Sequence, residues 1–198
     1  MARTPTPGIR ARILETASRL FAEHGVRAVG MQQVIDEAGV GKSLLYREFP
    51  SKDELVAAWL RESDADWWRQ ARVFLDRHPL EPARQLLDLI EFFSASARTP
   101  EFHGCVFYTT SSEFRDIGHP GRREAVEHLR RVRELMRDLG ARAGAADPDG
   151  LADALMIVTA GLLANAEALG SAGPVLQALP AAEAIIARYC PAALGAAV

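Results

Sequence analysis

Cysteine is scarce in this chain: there are two in 198 residues, Cys105 and Cys190, far apart and in no Cys-x-x-Cys pair. That excludes a disulfide-framed scaffold and a thiolate zinc module. The five histidines, at 24, 78, 103, 119 and 128, show no tight ligand spacing, so neither a metal site nor a cofactor is expected. An excess of one charge is missing as well. With 23 basic and 26 acidic residues, a formal net charge of -3 and a pI near 6.0, the chain is no histone-like polycation. Any nucleic-acid binding must come from a local patch. Long apolar runs are absent too. The opening MARTPTPGIRARIL holds none of signal-peptide length, and the most apolar stretch, Leu151 to Leu169, is interrupted by Asp153, Asn165 and Glu167. A cytoplasmic protein with no membrane span and no membrane partner is expected.

The last absence is of strand signals. No segment alternates apolar and polar residues for long, whereas spacings of three and four recur from end to end, which predicts an all-α fold of about nine helices. At 48% hydrophobic and 25% charged residues, the composition excludes disorder and collagen-like structure. Ile9, Ile13, Ala17, Leu20 and Phe21 share one face of a first helix that Gly25 closes. Val34, Ile35 and Ala38 line a short second helix ended by Gly39, and after Val40 and Gly41 a third runs from near Lys42 to Phe49. Two short helices joined through a glycine-containing turn predict a helix-turn-helix.

Pro50 stops the third helix, and Ser51 with Glu54 forms a capping box that opens a long fourth one towards Arg77. Pro79 and Pro82 introduce a fifth, ended by Thr99 and Pro100, and a sixth runs from about His103 to Arg115, ahead of the Gly118, His119, Pro120 break. Residues 121–143 form an arginine-rich seventh helix, Asp147 and Pro148 begin an eighth that reaches about Leu169, and Gly173 and Pro174 precede a ninth that Pro180 kinks or restarts. There is no internal repeat and no low-complexity linker. The predicted organisation is a small three-helix domain, 1–55, followed by a larger helical domain, 56–198.

A helix that enters the major groove needs a packed inner edge and a polar or short-chained outer one. Leu45 and Phe49, four apart, supply the inner edge, while Gly41, Lys42, Ser43, Leu44, Tyr46 and Arg47 lie outward or at the helix start. Charge alone does not single out this segment, because the first 55 residues hold eight basic and seven acidic groups. The string itself says more. Residues 9–55 read IRARILETASRLFAEHGVRAVGMQQVIDEAGVGKSLLYREFPSKDEL. With Ile13, Ala17, Leu20, Phe21 and Gly25, then Ala38, Gly39 and Val40, then Leu45, Tyr46, Phe49, Lys52 and Leu55, this segment resembles the DNA-binding domain of the TetR family of bacterial transcription regulators. The rest of the chain matches that family in helix count and length only.

The resemblance implies double-stranded DNA as partner. Lys42 and Lys52, the only two lysines in the chain, fall where the family contacts phosphate, and the second stands at a positive helix start. Tyr46 is implied to touch the backbone or a thymine methyl. Ser43, Leu44 and Arg47 are the candidates for base edges, with Gln32 and Gln33 joining them from the second helix. Arg3, Arg10 and Arg12 sit where an N-terminal arm would reach DNA. Three positions depart from the family pattern. Val29 and Gly30 replace the usual Thr or Ser cap, losing one hydrogen bond worth about 1 kcal/mol unless Gln32 or Gln33 compensates. Ser43 stands where Gly or Ala is common. Glu48 stands where an uncharged residue or His is common, and it must pair with Arg47 or Lys52 or else repel phosphate.

The same resemblance implies that the larger domain binds a small effector and joins two subunits. The eighth helix carries a stripe of Leu151, Leu155, Val158, Leu162 and Leu169, yet Met156, Ile157, Ala160, Leu163, Ala164 and Ala166 make most of its remainder apolar. Such a helix is either covered on both sides, its outer side by a second copy together with the alanine-rich ninth helix, or wholly interior to one chain. For the effector, the aromatics Trp59, Trp67, Trp68, Phe74, Phe92, Phe93, Phe107 and Tyr108 fall in helices four to six. Tyr108, Thr109, Thr159 and Asn165 are polar groups among apolar ones. The candidate ligand residues are Trp67, Phe93, Cys105, Tyr108, Met156 and Thr159, and the expected effector is mostly apolar or aromatic. The whole reads as a homodimeric repressor, not an enzyme, released from a palindromic operator by that effector. The rival readings are a helical adaptor that does not bind DNA and a thiol-dependent sensor using Cys105 beside His103, or an enzyme using Cys105 as nucleophile with His103 or His119. Salt-steep DNA binding separates the first rival, and thiol labelling the second.

Overall fold

A computed structural model of the chain describes residues 8–100 and 102–191. Among these residues there is no strand. The elements are α1 (Ile9–His24), α2 (Met31–Ala38), α3 (Lys42–Glu48), α4 (Lys52–Leu75), α5 (Pro82–Ala97), α6 (Val106–Glu113), α7 (Pro120–Arg142), α8 (Pro148–Leu169), a 3-10 segment (Gly173–Gln177) and α9 (Ala178–Tyr189). The all-α expectation holds, and most boundaries fall where local chemistry puts them. The Ser51 hydroxyl accepts from Glu54 N at 3.2 Å, the Asp147 carboxylate accepts from Gly150 N at 2.9 Å, and Pro82 opens α5. Two boundaries differ from the sequence reading. α6 begins at Val106, because Gly104 takes φ +84 and the chain from Phe102 to Cys105 is irregular. α9 is preceded by the 3-10 segment, so Pro180 falls in its first turn, where a missing N–H costs nothing, and it neither kinks nor restarts the helix.

By packing, the chain divides into two units. The first holds the chain up to Ala65 with Val106–Glu127, and the second holds Asp66–Cys105 with the chain from His128 onward. In the first unit α1 packs on α2 and α2 meets α3. Its core is built from Ile13, Ala17, Leu20 and Phe21 of α1, Val34, Ile35 and Ala38 of α2, Leu45 of α3, and Phe49, Leu55, Trp59 and Leu60. Each large apolar side chain buried here contributes about 1.5–3 kcal/mol. α6 is fastened to the turn after α1 by one carboxylate: Glu113 accepts from Val26 N at 3.3 Å and from Arg27 N at 2.8 Å. Arg122 of α7 donates to the carbonyls of Ser111 and, at 2.8 Å, of Phe114, filling acceptors left open by the end of α6.

In the second unit α5, α8 and α9 pack pairwise, with the 3-10 segment against α8 and α9. Leu86, Leu89, Ile90, Phe92 and Phe93 of α5 are buried, as are Leu151, Leu155 and Leu162 of α8 and Ile186 of α9. A second cluster forms around Trp67 of α4, whose ring centroid lies 5.4 Å from Phe92, 5.6 Å from Phe93 and 5.0 Å from His128. α8 is long and apolar enough to cross a membrane by length and composition, and its leucine face is packed inside this unit.

Candidate functional site

The glycines after α2 set the geometry of the site. Gly39 takes φ +60, a left-handed conformation that costs other residues energy, and turns the chain so that Val40 is buried before α3 begins. α3 is then held by its inner edge: Leu45 and Phe49 are both essentially inaccessible to solvent. With those two fixed inward, Lys42, Ser43, Tyr46 and Arg47 fall on the outer side by helical geometry, all exposed, and Leu44 is half-buried at the margin. Tyr46 is 40% exposed.

Charges around this face are arranged in pairs. Arg47 donates to the carboxylate of Glu48 from Nη2 at 3.0 Å and from Nε at 3.3 Å, so the residue that departs from the family pattern is neutralised by its neighbour. Arg10 donates to the Glu48 carbonyl at 3.1 Å and lies 4.3 Å from the Phe49 ring centroid, closing the end of α3 from α1. Arg12 is exposed at the start of α1, whereas Arg3 lies outside the described residues. Arg19 pairs with Glu37 and holds that carboxyl below the usual carboxylate range through a direct hydrogen bond. Lys52, half-buried at the first turn of α4, donates to the Arg27 carbonyl at 3.1 Å. Burial pushes its ammonium below the usual lysine range, while Glu113 and Asp53 act in the opposite direction.

Gln32 and Gln33 do not supply the missing cap of α2. No side chain caps Gly30; the Gln32 amide donates to Asp36 at 2.8 Å and the Gln33 amide to Glu37 at 3.4 Å, each one turn along the helix. An amide four residues ahead of a carboxylate has a partner on its own face, closer than the open helix end. Gln32 remains exposed and Gln33 half-buried.

The ligand candidates are distributed. Trp67 and Phe93 meet in the second unit, and Met156 and Thr159 stand on α8, the first half-buried and the second buried. The Thr159 hydroxyl donates to the Met156 carbonyl at 3.0 Å and the Asn165 amide to the Gly161 carbonyl at 2.7 Å. Their own helix thus satisfies both polar groups that sequence reasoning left needing partners. Cys105 is half-buried in the irregular stretch before α6, and His103 beside it is exposed; neither lies on the helix expected there. The Cys190 thiol is pushed up by burial, away from the reactive thiolate. Tyr108 is on α6, in the first unit, and Trp59 belongs to the helix-turn-helix core. Sequence reasoning chose Thr109, which is exposed, and passed over Thr110, whose hydroxyl is buried and has no hydrogen-bond partner among the described residues. The signal was the three-residue step from Phe107, which puts Thr110 and not Thr109 on the inner face of α6.

Residues 13–59 match the sequence profile described as bacterial regulatory proteins, tetR family. A structure from Streptomyces avermitilis described as a TetR transcriptional regulator is 30% identical, with a TM-score of 0.81 over 91% of this chain and 97% of that one. SCO4454, a TetR-family transcriptional regulator from Streptomyces coelicolor, is 26% identical, with a TM-score of 0.87 over 92% of this chain and 96% of its own. The HTH-type transcriptional repressor KstR2 of Mycobacterium tuberculosis is 36% identical over 97 residues, 48% of this chain and 45% of that protein. The chain spans between about a quarter and a half of the length of the curated relatives it matches.

Proposed function

Because the chain belongs to the TetR family of bacterial regulatory proteins, we propose that it is a homodimeric, DNA-binding repressor, acting in the cytoplasm, that leaves a palindromic operator when a small, mostly apolar or aromatic effector binds. The observation that carries this reading is the outer face of α3: four exposed side chains, Lys42, Ser43, Tyr46 and Arg47, on a helix anchored by buried Leu45 and Phe49. Residues 1–55 act as the DNA-binding domain and 56–198 as the effector and dimerisation domain. Lys42 and Lys52 hold phosphates and supply affinity without sequence preference. Ser43, Leu44 and Arg47 read base edges, Arg47 by exchanging the Glu48 carboxylate for a guanine; Tyr46 packs on the backbone or a thymine methyl, and Gln32 and Gln33 add contacts from α2.

The two copies join through α8 and α9, where the outer side of α8 offers Ile157 with the small residues Ala160, Gly161 and Ala164. Effector binding then acts by favouring one of two states that differ in the spacing of the recognition helices. Trp67, Phe93, Cys105, Tyr108, Met156 and Thr159 are the residues assigned to that effector.

The test is fluorescence anisotropy with the DNA flanking the protein's own coding region, at several salt concentrations, for the wild type and a Lys42→Ala, Tyr46→Ala double variant. Tight binding that weakens by about 0.9 log units per neutralised phosphate per decade of salt, and that the double variant loses, is the expected result. Weak, salt-insensitive binding that the variant leaves unchanged favours the adaptor reading. Curated relatives matched over the N-terminal segment are named as an activator in one case and a repressor in another. A reporter fused to the bound promoter decides the direction: repression predicts higher output when the gene for this chain is deleted.

A further inference from the structure

The turn between α1 and α2 is held by a residue from outside the three-helix motif. Val26 N and Arg27 N are successive backbone donors between two helices, and both donate to the carboxylate of Glu113, the last residue of α6, at 3.3 and 2.8 Å. Gly25, at φ +78, makes this approach possible, because a Cβ there would stand 3.1 Å from Glu113 Oε1. Glu113 is half-buried, and hydrogen bonds to an ionised acceptor are roughly twice as strong as neutral ones, so the contact works as a clamp. The residue after Glu113 is fixed as well. The Phe114 ring stacks on His119 with centroids 3.7 Å apart, and the Arg27 guanidinium lies 5.9 Å from the Phe114 centroid.

The clamped turn is also the seat of Lys52, whose ammonium donates to the Arg27 carbonyl at 3.1 Å from the start of α4. With the Arg27 amide held, only that residue's own φ and ψ separate the Glu113 carboxylate from the carbonyl that Lys52 uses. A lysine ammonium is a point charge on a flexible stem, so its direction is set by the acceptor it rests on. Glu113 acts on the same ammonium through space, with Asp53 in the same sense and Arg27 in the opposite one. All of these residues belong to the first unit.

We propose that Glu113 is a positioning residue for DNA binding, aiming the Lys52 ammonium through the α1–α2 turn at the phosphate assigned to it above, a role that rests on that assignment. A part played by the Glu113 charge alone would have the opposite sign, since a carboxylate near a phosphate repels it and its removal tightens binding. A part in holding the domain together at large would weaken every DNA contact, and its loss would add to that of Lys52.

Fluorescence anisotropy with the DNA flanking the coding region, over a salt series, separates the three for Glu113→Gln, Lys52→Ala and the double variant. Gln keeps the length of Glu but replaces one of the two accepting oxygens by a donor. Lys52→Ala should lower the salt slope by about 0.9 log units per decade, the share of one phosphate. Glu113→Gln should weaken binding about fivefold at moderate salt and lower the slope by at least half as much as Lys52→Ala does, and the double variant should bind no worse than Lys52→Ala. A wild type that does not bind the fragment, or a Lys52→Ala variant that keeps the wild-type slope, overturns the phosphate assignment of Lys52 and the role of Glu113 with it. Where Lys52→Ala does lower the slope, Glu113→Gln binding as tightly as the wild type or more tightly overturns the role of Glu113 alone, and so do losses that add in the double variant. If Glu113→Gln lacks a folded melting transition, Glu113→Asp, which keeps the charge and withdraws both oxygens by one methylene, takes its place with the same outcomes.

Discussion

Trp59 ties α4 to α1 through two kinds of contact at once. Its indole N–H donates to the Ser18 hydroxyl at 3.1 Å, and its ring lies 5.1 Å from that of Phe21, with 3% of the residue exposed. Trp59→Ala removes the ring and leaves a cavity, so it should cost about 3–5 kcal/mol in urea unfolding. Ser18→Ala keeps the ring but strands the indole N–H, for about 1–3 kcal/mol; equal losses from the two would show that the hydrogen bond, not the packing, dominates. Arg133 works by charge, bridging α7 to Asp149 at 2.9 Å and Asp153 at 2.6 Å on α8. Its hydrogen bond holds the Asp153 carboxyl below the usual carboxylate range. Because the folded value is the lower one, the stabilisation is present at neutral pH and is lost as pH falls through that depressed value. In Arg133→Gln the Asp153 carboxyl should titrate at higher pH by carbon-detected NMR; an unchanged titration would refute the pairing. Side-chain partners were the least legible feature in the sequence. Glu48 was restricted to Arg47 or Lys52, and it is Arg47; but Gln32 and Gln33 turn to Asp36 and Glu37, a choice made by competition among nearby acceptors.

Helices were legible wherever one residue acts on the backbone within four positions of itself. Ser51, Asp147 and Pro82 mark the starts of α4, α8 and α5 in the sequence and in the fold alike. The start of α6 was not, because it depends on the positive φ of Gly104, where an added Cβ would meet the carboxylate of Glu167, far away in the chain. Gly39 and Gly41 flank the turn into α3 and separate two uses of glycine. Gly39 has φ +60 with no neighbour within reach of a Cβ, so Gly39→Ala should cost about 1–2 kcal/mol through backbone strain alone. Gly41 has φ -71 and equal space, so Gly41→Ala meets no backbone strain and should cost only about 0.5 kcal/mol, as a poorer N-cap of α3. Chemical denaturation of both variants checks this, and similar costs at the two sites would mean that the left-handed turn is not what fixes α3.

At the scale of the whole molecule, α8 asks for a second surface. Leu151, Leu155, Thr159 and Leu162 use one side of it within the second unit, and the sequence already showed that the other side is apolar too. Ile157 is 75% exposed on that other side, flanked by residues small enough for two helices to approach closely. A single recognition helix of seven residues reads too few base pairs to single out a site, whereas two held about 34 Å apart read successive major grooves of a palindrome. Dimerisation and operator choice are therefore one prediction. Ile157→Asp places a carboxylate where a dimer would strip its water, a cost that no partner across the interface offsets. Since Ile157 takes no part in the chain's own core, helicity and the thermal transition of the isolated chain should survive. By analytical ultracentrifugation at micromolar concentration the wild type should sediment as a dimer and the variant as a monomer. Affinity for a full palindrome should fall at least a hundredfold in the variant, while binding to a single half-site stays as it was. A variant that remains dimeric moves the interface away from this face of α8; a wild type that is itself monomeric removes the reason for a palindromic operator, and with it the mechanism by which an effector would respace the two α3 helices.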